Sequence, residues 1–175
     1  MDGIYLNSLY AVFAMWTLLL GLAAAYDLWK FIIPNAISVI LALLFFPSAY
    51  LLGIGIDWMS HLGAAVLVFA GGVAAYRFRI LGAGDAKLLT AIALWVSVDG
   101  LLQFLLFVGL CGGGLAVSLI IVRRLTLSLM VLRASPEQVA LPRILVTNEM
   151  VPYGVAIAAA AVIVSRDLPL FTLLP

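Results

Sequence analysis

The sequence predicts an all-α polytopic membrane protein, a bundle of six transmembrane helices, and three observations carry that prediction. Of its 175 residues, 66% are hydrophobic and 10% charged, with a mean hydropathy of +1.27, whereas a soluble domain carries roughly 25% charged residues and about 45–50% apolar ones. The chain divides into uncharged stretches at residues 4–26, 36–56, 58–76, 88–98, 100–122 and 150–165. Its basic residues fall in alternate loops between them. So much apolar side chain excludes a cytosolic enzyme, a nucleic-acid binder and a disordered chain. In lipid every backbone amide needs an internal partner, so the stretches are helices, and none alternates as a barrel strand does. At about 20 residues per crossing, six spans use roughly 120 residues and leave no room for a separate soluble domain. Residues 1–175 are therefore expected to form one integral-membrane domain.

Taken in order, the first stretch has a rival reading. Leu18-Leu19-Leu20 followed by Ala23-Ala24-Ala25 resembles a signal-peptide core with a small-residue cleavage site. The only charge before Asp27 is Asp2, where a signal peptide carries basic residues, so a retained helix is expected. Pro34 cannot continue a helix interior, and Asn35 is a good cap for the second helix. The fourth stretch is short and is expected to extend backward through Lys87, whose stem can reach the interface. The sixth is rich in alanine and starts at a proline, which suits packing against other helices. Gly71-Gly72 and Gly112-Gly113-Gly114 would allow close helix approach.

Eight of the nine basic residues fall on one side of this arrangement: Lys30; Arg77, Arg79 and Lys87; Arg123, Arg124, Arg133 and Arg143. Only Arg166 falls on the other. The positive-inside rule places those three loops in the cytoplasm and both termini outside. The loop 123–149 contains an apolar stretch, 125–132, followed by Pro136 and Pro142. It either lies along the interface on anionic headgroups or forms a solvated connector. The one cysteine, Cys111, excludes an internal disulfide framework and a Cys-x-x-Cys metal site.

Chemistry in such a chain belongs to ionisable groups at membrane depth. Asp2, Asp57, Asp99 and Asp167 fall outside near helix ends, and Glu137 and Glu149 lie in the large loop, where water solvates them. Asp27 and Asp85 each sit at the cytoplasmic end of an apolar helix, at one membrane level. The plainer alternative pairs Asp27 with Lys30 and Asp85 with Lys87 as ordinary helix-end charges. In Leu81-Gly82-Ala83-Gly84-Asp85-Ala86-Lys87, the glycines permit unusual backbone turns and close approach of another chain. A glycine-flanked acid facing a second acid is what a two-carboxylate hydrolase needs. One ionised group takes a proton from water while the other, protonated, polarises the scissile carbonyl, the pair sharing one proton. The polarities of the helices that carry them favour Asp85 as base and Asp27 as acid, a bias on the order of 1 kcal/mol, and the pair titrates as a unit.

Asp27 with Ile33-Pro34-Asn35, then Gly82-Ala83-Gly84-Asp85-Ala86-Lys87, then Val151-Pro152-Tyr153-Gly154-Val155-Ala156, together resemble the type IV prepilin peptidases. These are intramembrane aspartic proteases of the Gly-x-Gly-Asp type. The resemblance implies cleavage of the leader peptide from prepilins or pseudopilins at the cytoplasmic face of the inner membrane. It makes Asp27 and Asp85 the catalytic pair, with Gly82 and Gly84 shaping the loop that presents Asp85. Lys87, Pro34 and Asn35 would support that geometry, and Pro152, Tyr153 and Gly154 would begin a helix beside the site. Larger members carry a cytoplasmic insertion with paired cysteines linked to N-methylation. This chain has none, so it is most similar to the short, peptidase-only members of Tad/Flp pilus systems. The archaeal preflagellin peptidases share the core motifs.

No cofactor or metal is expected; a metal-dependent enzyme would want more than two acids at one level. His61 is expected at the outer interface, opposite both aspartates. A serine protease of the rhomboid type is disfavoured, because its nucleophile needs a nearby histidine base. The rival from another class is a transport protein in which Asp27 and Asp85 relay protons or bind a cation.

Overall fold

The computed structural model describes residues 3–51, 55–132 and 151–171. Among them the chain is all helical. The elements are α1 (Gly3–Lys30), α2 (Asn35–Leu51), α3 (Trp58–Arg77), α4 (Ala83–Leu132) and α5 (Tyr153–Ile163), the last followed by a 3-10 turn, Val164–Asp167. Three helical stretches are long and apolar enough to cross a membrane: Leu6–Lys30, Trp58–Arg77 and Ala83–Thr126; Asn35–Leu51 is apolar but shorter. Exposed leucine and valine side chains such as Leu18, Val66, Leu102 and Leu110 coat the outside, which suits lipid as the solvent.

The helix count departs from the six expected. The stretches 88–98 and 100–122 lie within one element, α4. A straight helix of its 50 residues would be about 75 Å long against a hydrocarbon core of ~30 Å. It is not straight, because Ser97 has non-helical dihedrals, φ 66° and ψ 173°. Beyond Ser97 the chain doubles back along α5. Gln103 Nε2 donates to Asp167 Oδ2 (2.9 Å) where α5 finishes. Further on, Gly112 packs against Tyr153, where α5 begins. One residue in a left-handed conformation thus replaces the loop that separate helices would need.

That break has a backbone cost, and α3 meets it. In an uninterrupted helix the Val98 N–H would donate to the Leu94 carbonyl. Here the Val98 N–H donates to Ser60 Oγ (3.1 Å). His61 Nδ1 lies 2.7 Å from the Leu94 carbonyl oxygen; a carbonyl can only accept, so the imidazole carries its proton on Nδ1. Both residues belong to the first turn of α3, held by Asp57, whose Oδ1 accepts from the Met59 and Ser60 N–H groups at 3.1 and 3.3 Å. His61 is therefore not the interface residue expected of it. It is 2% exposed and packs against the Phe45 ring at 5.1 Å between centroids, tilted by 39°.

The core gathers at the same level. Trp16 of α1, Phe45 of α2, Trp95 of α4 and Phe171 beyond α5 are fully buried. Trp95 lies 6.2 Å from Trp16, 5.6 Å from Phe45 and 5.7 Å from Phe171, centroid to centroid. Its Nε1 donates to the Leu41 carbonyl of α2 (3.0 Å). Offset and edge-on pairs of this kind add about 0.5–1.5 kcal/mol each beyond burial. Ala156, Ala158, Ala160 and Ala161 of α5 are buried, as the composition of that helix suggested. Of the glycines expected at helix contacts, Gly72 meets Ala86 and Gly112 meets Tyr153, whereas Gly71, Gly113 and Gly114 have nothing within 4 Å of a built Cβ. The first ten residues of the expected loop 123–149 continue α4 to Leu132. Arg133, Pro136, Glu137, Pro142, Arg143 and Glu149, with Asp2, lie outside the described residues.

The His61→Leu substitution strips the buried Leu94 carbonyl of its donor and is expected to cost about 1–3 kcal/mol. Ser60→Ala is expected to cost less, since the Val98 N–H is at an exposed position. Thermal unfolding in detergent would read the order; equal melting for His61→Leu and the wild type would contradict it.

Candidate active site

The site forms at the end of the bundle away from Ser97, where α1 hands over to α2 and α3 to α4. Helix α1 stops when Phe31 turns left-handed, φ 53°, and its N–H donates to the Asp27 carbonyl (2.9 Å), a one-bond helix terminator. Helix α3 stops in the same way. Arg79 has φ 59°; its N–H donates to the Tyr76 carbonyl, and the Ile80 N–H to the Ala75 carbonyl, both at 2.9 Å. That is a Schellman closure with arginine where glycine is usual. Left-handed backbone costs a residue with a Cβ roughly 1–2 kcal/mol.

Asp27 lies on the last turn of α1 and is 5% exposed. Its Oδ2 accepts from the Gly154 N–H at 2.6 Å. That donor belongs to the start of α5, whose N-cap, Pro152, supplies no side-chain cap. Asp27 therefore caps a helix that it is not part of. Asp85 is the third residue of α4, the position that an acid takes in a capping box. Both carboxylates thus lie where helix N-termini present unpaired N–H groups.

The two acids line one open cleft of about 900 Å³, together with Phe31, Pro34, Asn35, Tyr76, Arg79, Gly82, Gly84, Lys87 and Tyr153. Neither acid is ion-paired among the described residues, which disposes of the plainer alternative. Lys30 Nζ sits over the Tyr26 ring at 5.4 Å, and Lys87 Nζ donates to Asn35 Oδ1 at 2.8 Å. That bond ties the start of α2 to the start of α4, so Asn35 is used across the cleft and not as the cap expected of it. Two carboxylates facing one cleft with no cation between them can share a proton and act as base and acid on a bound water and carbonyl.

Of the two roles expected of the glycines, the structure uses close approach and not an unusual backbone turn. Neither Gly82 nor Gly84 has a positive φ; each is needed for space. A Cβ on Gly82 would come within 2.8 Å of Asp85 Oδ2, and one on Gly84 within 3.2 Å of Ile33 Cβ. A Cβ on Gly154 would meet Ile33 Cδ1 at 2.7 Å and Asp27 Oδ2 at 2.8 Å. Sequence reasoning placed Pro152, Tyr153 and Gly154 beside the site but missed the Gly154 N–H, because a backbone donor leaves no mark on residue type. It also passed over Phe31 and Arg79, although two helices ending without a glycine were the available signal.

Fold and site together define a class: an integral membrane protein with a paired-carboxylate cleft between its helices. A sequence model of the type IV leader peptidase family matches residues 12–117, more than half of the chain, and the chain belongs to that family. Membership implies a protease whose substrates are prepilins. No curated protein and no solved structure matches the chain. The matched segment holds Asp27, Pro34, Asn35 and the stretch from Gly82 to Lys87, while α5 lies beyond it.

Gly154→Ala pushes on the Asp27 carboxylate and is expected to lower peptidase activity on the order of 10²-fold, the usual consequence of misplacing a reacting group by about 1 Å. Gly71→Ala, in open space, should match the wild type. Comparable cleavage rates for the two variants, at equal protein in the membrane, would refute the role given to Gly154.

Proposed function

We propose that the protein is an intramembrane aspartic endopeptidase that removes the leader peptide of type IV prepilins, of the Flp/Tad type, with Asp27 and Asp85 as its catalytic pair. The observation that carries this reading is the convergence of these two aspartates, from separate helices, on one cleft, with neither in an ion pair among the described residues. In the reaction the ionised carboxylate takes a proton from a water held between the pair. The hydroxide adds to the scissile carbonyl, whose oxygen receives the proton of the other carboxyl. Collapse of the tetrahedral intermediate breaks the C–N bond, the departing nitrogen takes a proton from the first aspartate, and the hydroxyl proton returns to the second. Lys87 with Asn35 fixes the distance between the two halves of the site, Pro34 starts α2 at the cleft, and Gly82 and Gly84 leave room for Asp85 and Ile33. The Flp/Tad assignment is supported by the absence from the sequence of the paired cysteines found in the larger members.

The chain is placed as a single domain, 1–175, in the inner membrane. It crosses six times, with the break at Ser97 separating two crossings, both termini outside and the cleft at the cytoplasmic face. The basic residues Lys30, Arg77, Arg79 and Lys87 at the cleft end support that orientation. Single cysteines introduced at Lys30 and Arg77 in a Cys111→Ser background should be labelled only from the cytoplasmic side, and those at Asp57 and Asp99 only from outside. Labelling of all four from one side would overturn the topology.

Asp27→Asn and Asp85→Asn each keep an oxygen acceptor but remove the titrating proton. Each is expected to lower cleavage of a purified prepilin in liposomes by on the order of 10²–10⁴-fold or more while leaving membrane insertion unchanged. Activity should also fall on both sides of an optimum: at high pH both carboxylates are ionised and no acid remains, at low pH both are protonated and no base remains. Undiminished turnover in either variant defeats the dyad, and proton or cation flux without cleavage favours transport.

A further inference from the structure

Phe31 and Arg79 share three properties. Each ends a helix in a left-handed conformation, φ 53° and 59°, at the position where glycine is the ordinary residue. Each lines the cleft that holds the aspartates, one on the turn from α1 to α2, the other on the turn from α3 to α4. Neither is needed there by the turn itself, which glycine would make without strain. Nearby, glycines occupy Gly82, Gly84 and Gly154, where close approach and not backbone sign requires them. Strain retained at a cleft in two independent turns points to what the side chains do. Of the two cations lining the cleft, Lys87 is committed to Asn35. Arg79 is exposed, and among the described residues no side-chain partner of its guanidinium is found. A planar guanidinium with five donors is suited to a carboxylate.

We propose that Arg79 and Phe31 are the specificity-determining lips of the cleft: Arg79 takes an acidic side chain of the bound polypeptide and Phe31 packs on an apolar side chain next to it. The inference rests on the peptidase reading, since it needs a polypeptide in the cleft, but it concerns binding and not bond cleavage. Neither residue touches the reacting atoms; both act through KM.

The test uses the full chain in nanodiscs and a purified prepilin, together with prepilin variants in which each acidic residue in turn is replaced by its amide. Against wild-type enzyme, one of these replacements should raise KM about tenfold with kcat held. Arg79→Gly should raise KM for the parent prepilin by a similar factor and no longer distinguish it from that variant, and Arg79→Lys should recover part of the loss. Arg79→Gly and Phe31→Gly should melt no lower than wild type, because glycine relieves the turn, so that a loss of affinity cannot be a loss of fold. The same comparison is made as a binding constant in an Asp85→Asn background, which keeps it readable even where cleavage is absent. An unchanged KM and binding constant for Arg79→Gly would overturn the proposal. So would a loss that is equal for every prepilin variant and vanishes in phosphatidylcholine discs lacking anionic lipid, which would make Arg79 a headgroup ligand. Failure of the peptidase reading looks different: no cleavage by the wild type, or undiminished cleavage by Asp27→Asn and Asp85→Asn.

Discussion

The hydrogen bond from the Gly154 N–H to Asp27 Oδ2, 2.6 Å long between residues 127 positions apart, is the contact on which the site depends. The first N–H groups of any helix lack partners within it. At membrane depth, water cannot supply them cheaply. Helix α5 begins at Pro152 with no side-chain cap of its own, so its start must find an acceptor elsewhere, and Asp27 is that acceptor. One carboxylate thus closes the bundle from first helix to last and is held in a fixed orientation by doing so. Glycine at 154 follows from the shortness of the contact, since a Cβ there would reach both the carboxylate and Ile33. The requirement lies outside the segment that matches the family, yet it bears on one of the two aspartates proposed as the catalytic pair.

The same constraint governs the opposite end of the molecule. Wherever the chain leaves the helical path in lipid, the freed amides and carbonyls must be met by protein. At Ser97 the two groups parted by the break are met by adjacent residues of α3, Ser60 and His61. At the cleft end the last carbonyls of α1 and α3 are met by left-handed closures. The aromatic cluster around Trp95 sits on the Ser97 side and ties α1, α2 and α4 to Phe171, while the open cleft lies at the other end.

Much of this was legible in the sequence because lipid makes composition informative. The all-helical class and the start of α3 at Trp58 followed from uncharged stretches and their boundaries. Asp27 and Asp85 stood out because charges at membrane depth are few. What was not legible has one physical origin: it concerns backbone groups. Residue type does not announce that Ser97 reverses the chain, so the expected separation of 88–98 from 100–122 appears as a break inside α4. Nor does it announce that His61 serves a carbonyl, and the histidine was therefore placed at the surface. The glycines of Gly82-Ala83-Gly84 were expected to give both backbone freedom and close approach; their neighbours use the second, and the left-handed positions at the cleft went to Phe31 and Arg79.

The roles of the two acids must be argued afresh. Taken one helix at a time, polarity made Asp27 the acid, because it ends α1, and Asp85 the base, because it starts α4. The structure sets Asp27 against the start of α5 as well, so both carboxylates now face helix N-termini and the polarity argument no longer separates them. Hydrogen bonding narrows the chemistry instead. Asp27 Oδ2 accepts from the Gly154 N–H, which favours Oδ1 as the oxygen that would hold the proton of the proposed pair. Asp85 sits at the third position of α4, close against Gly82. For the catalytic pair proposed above, the direction of proton flow would then be set by which of the two the scissile carbonyl approaches. That is a matter of how the polypeptide lies in the cleft, and the turns at Phe31 and Arg79 frame the way in.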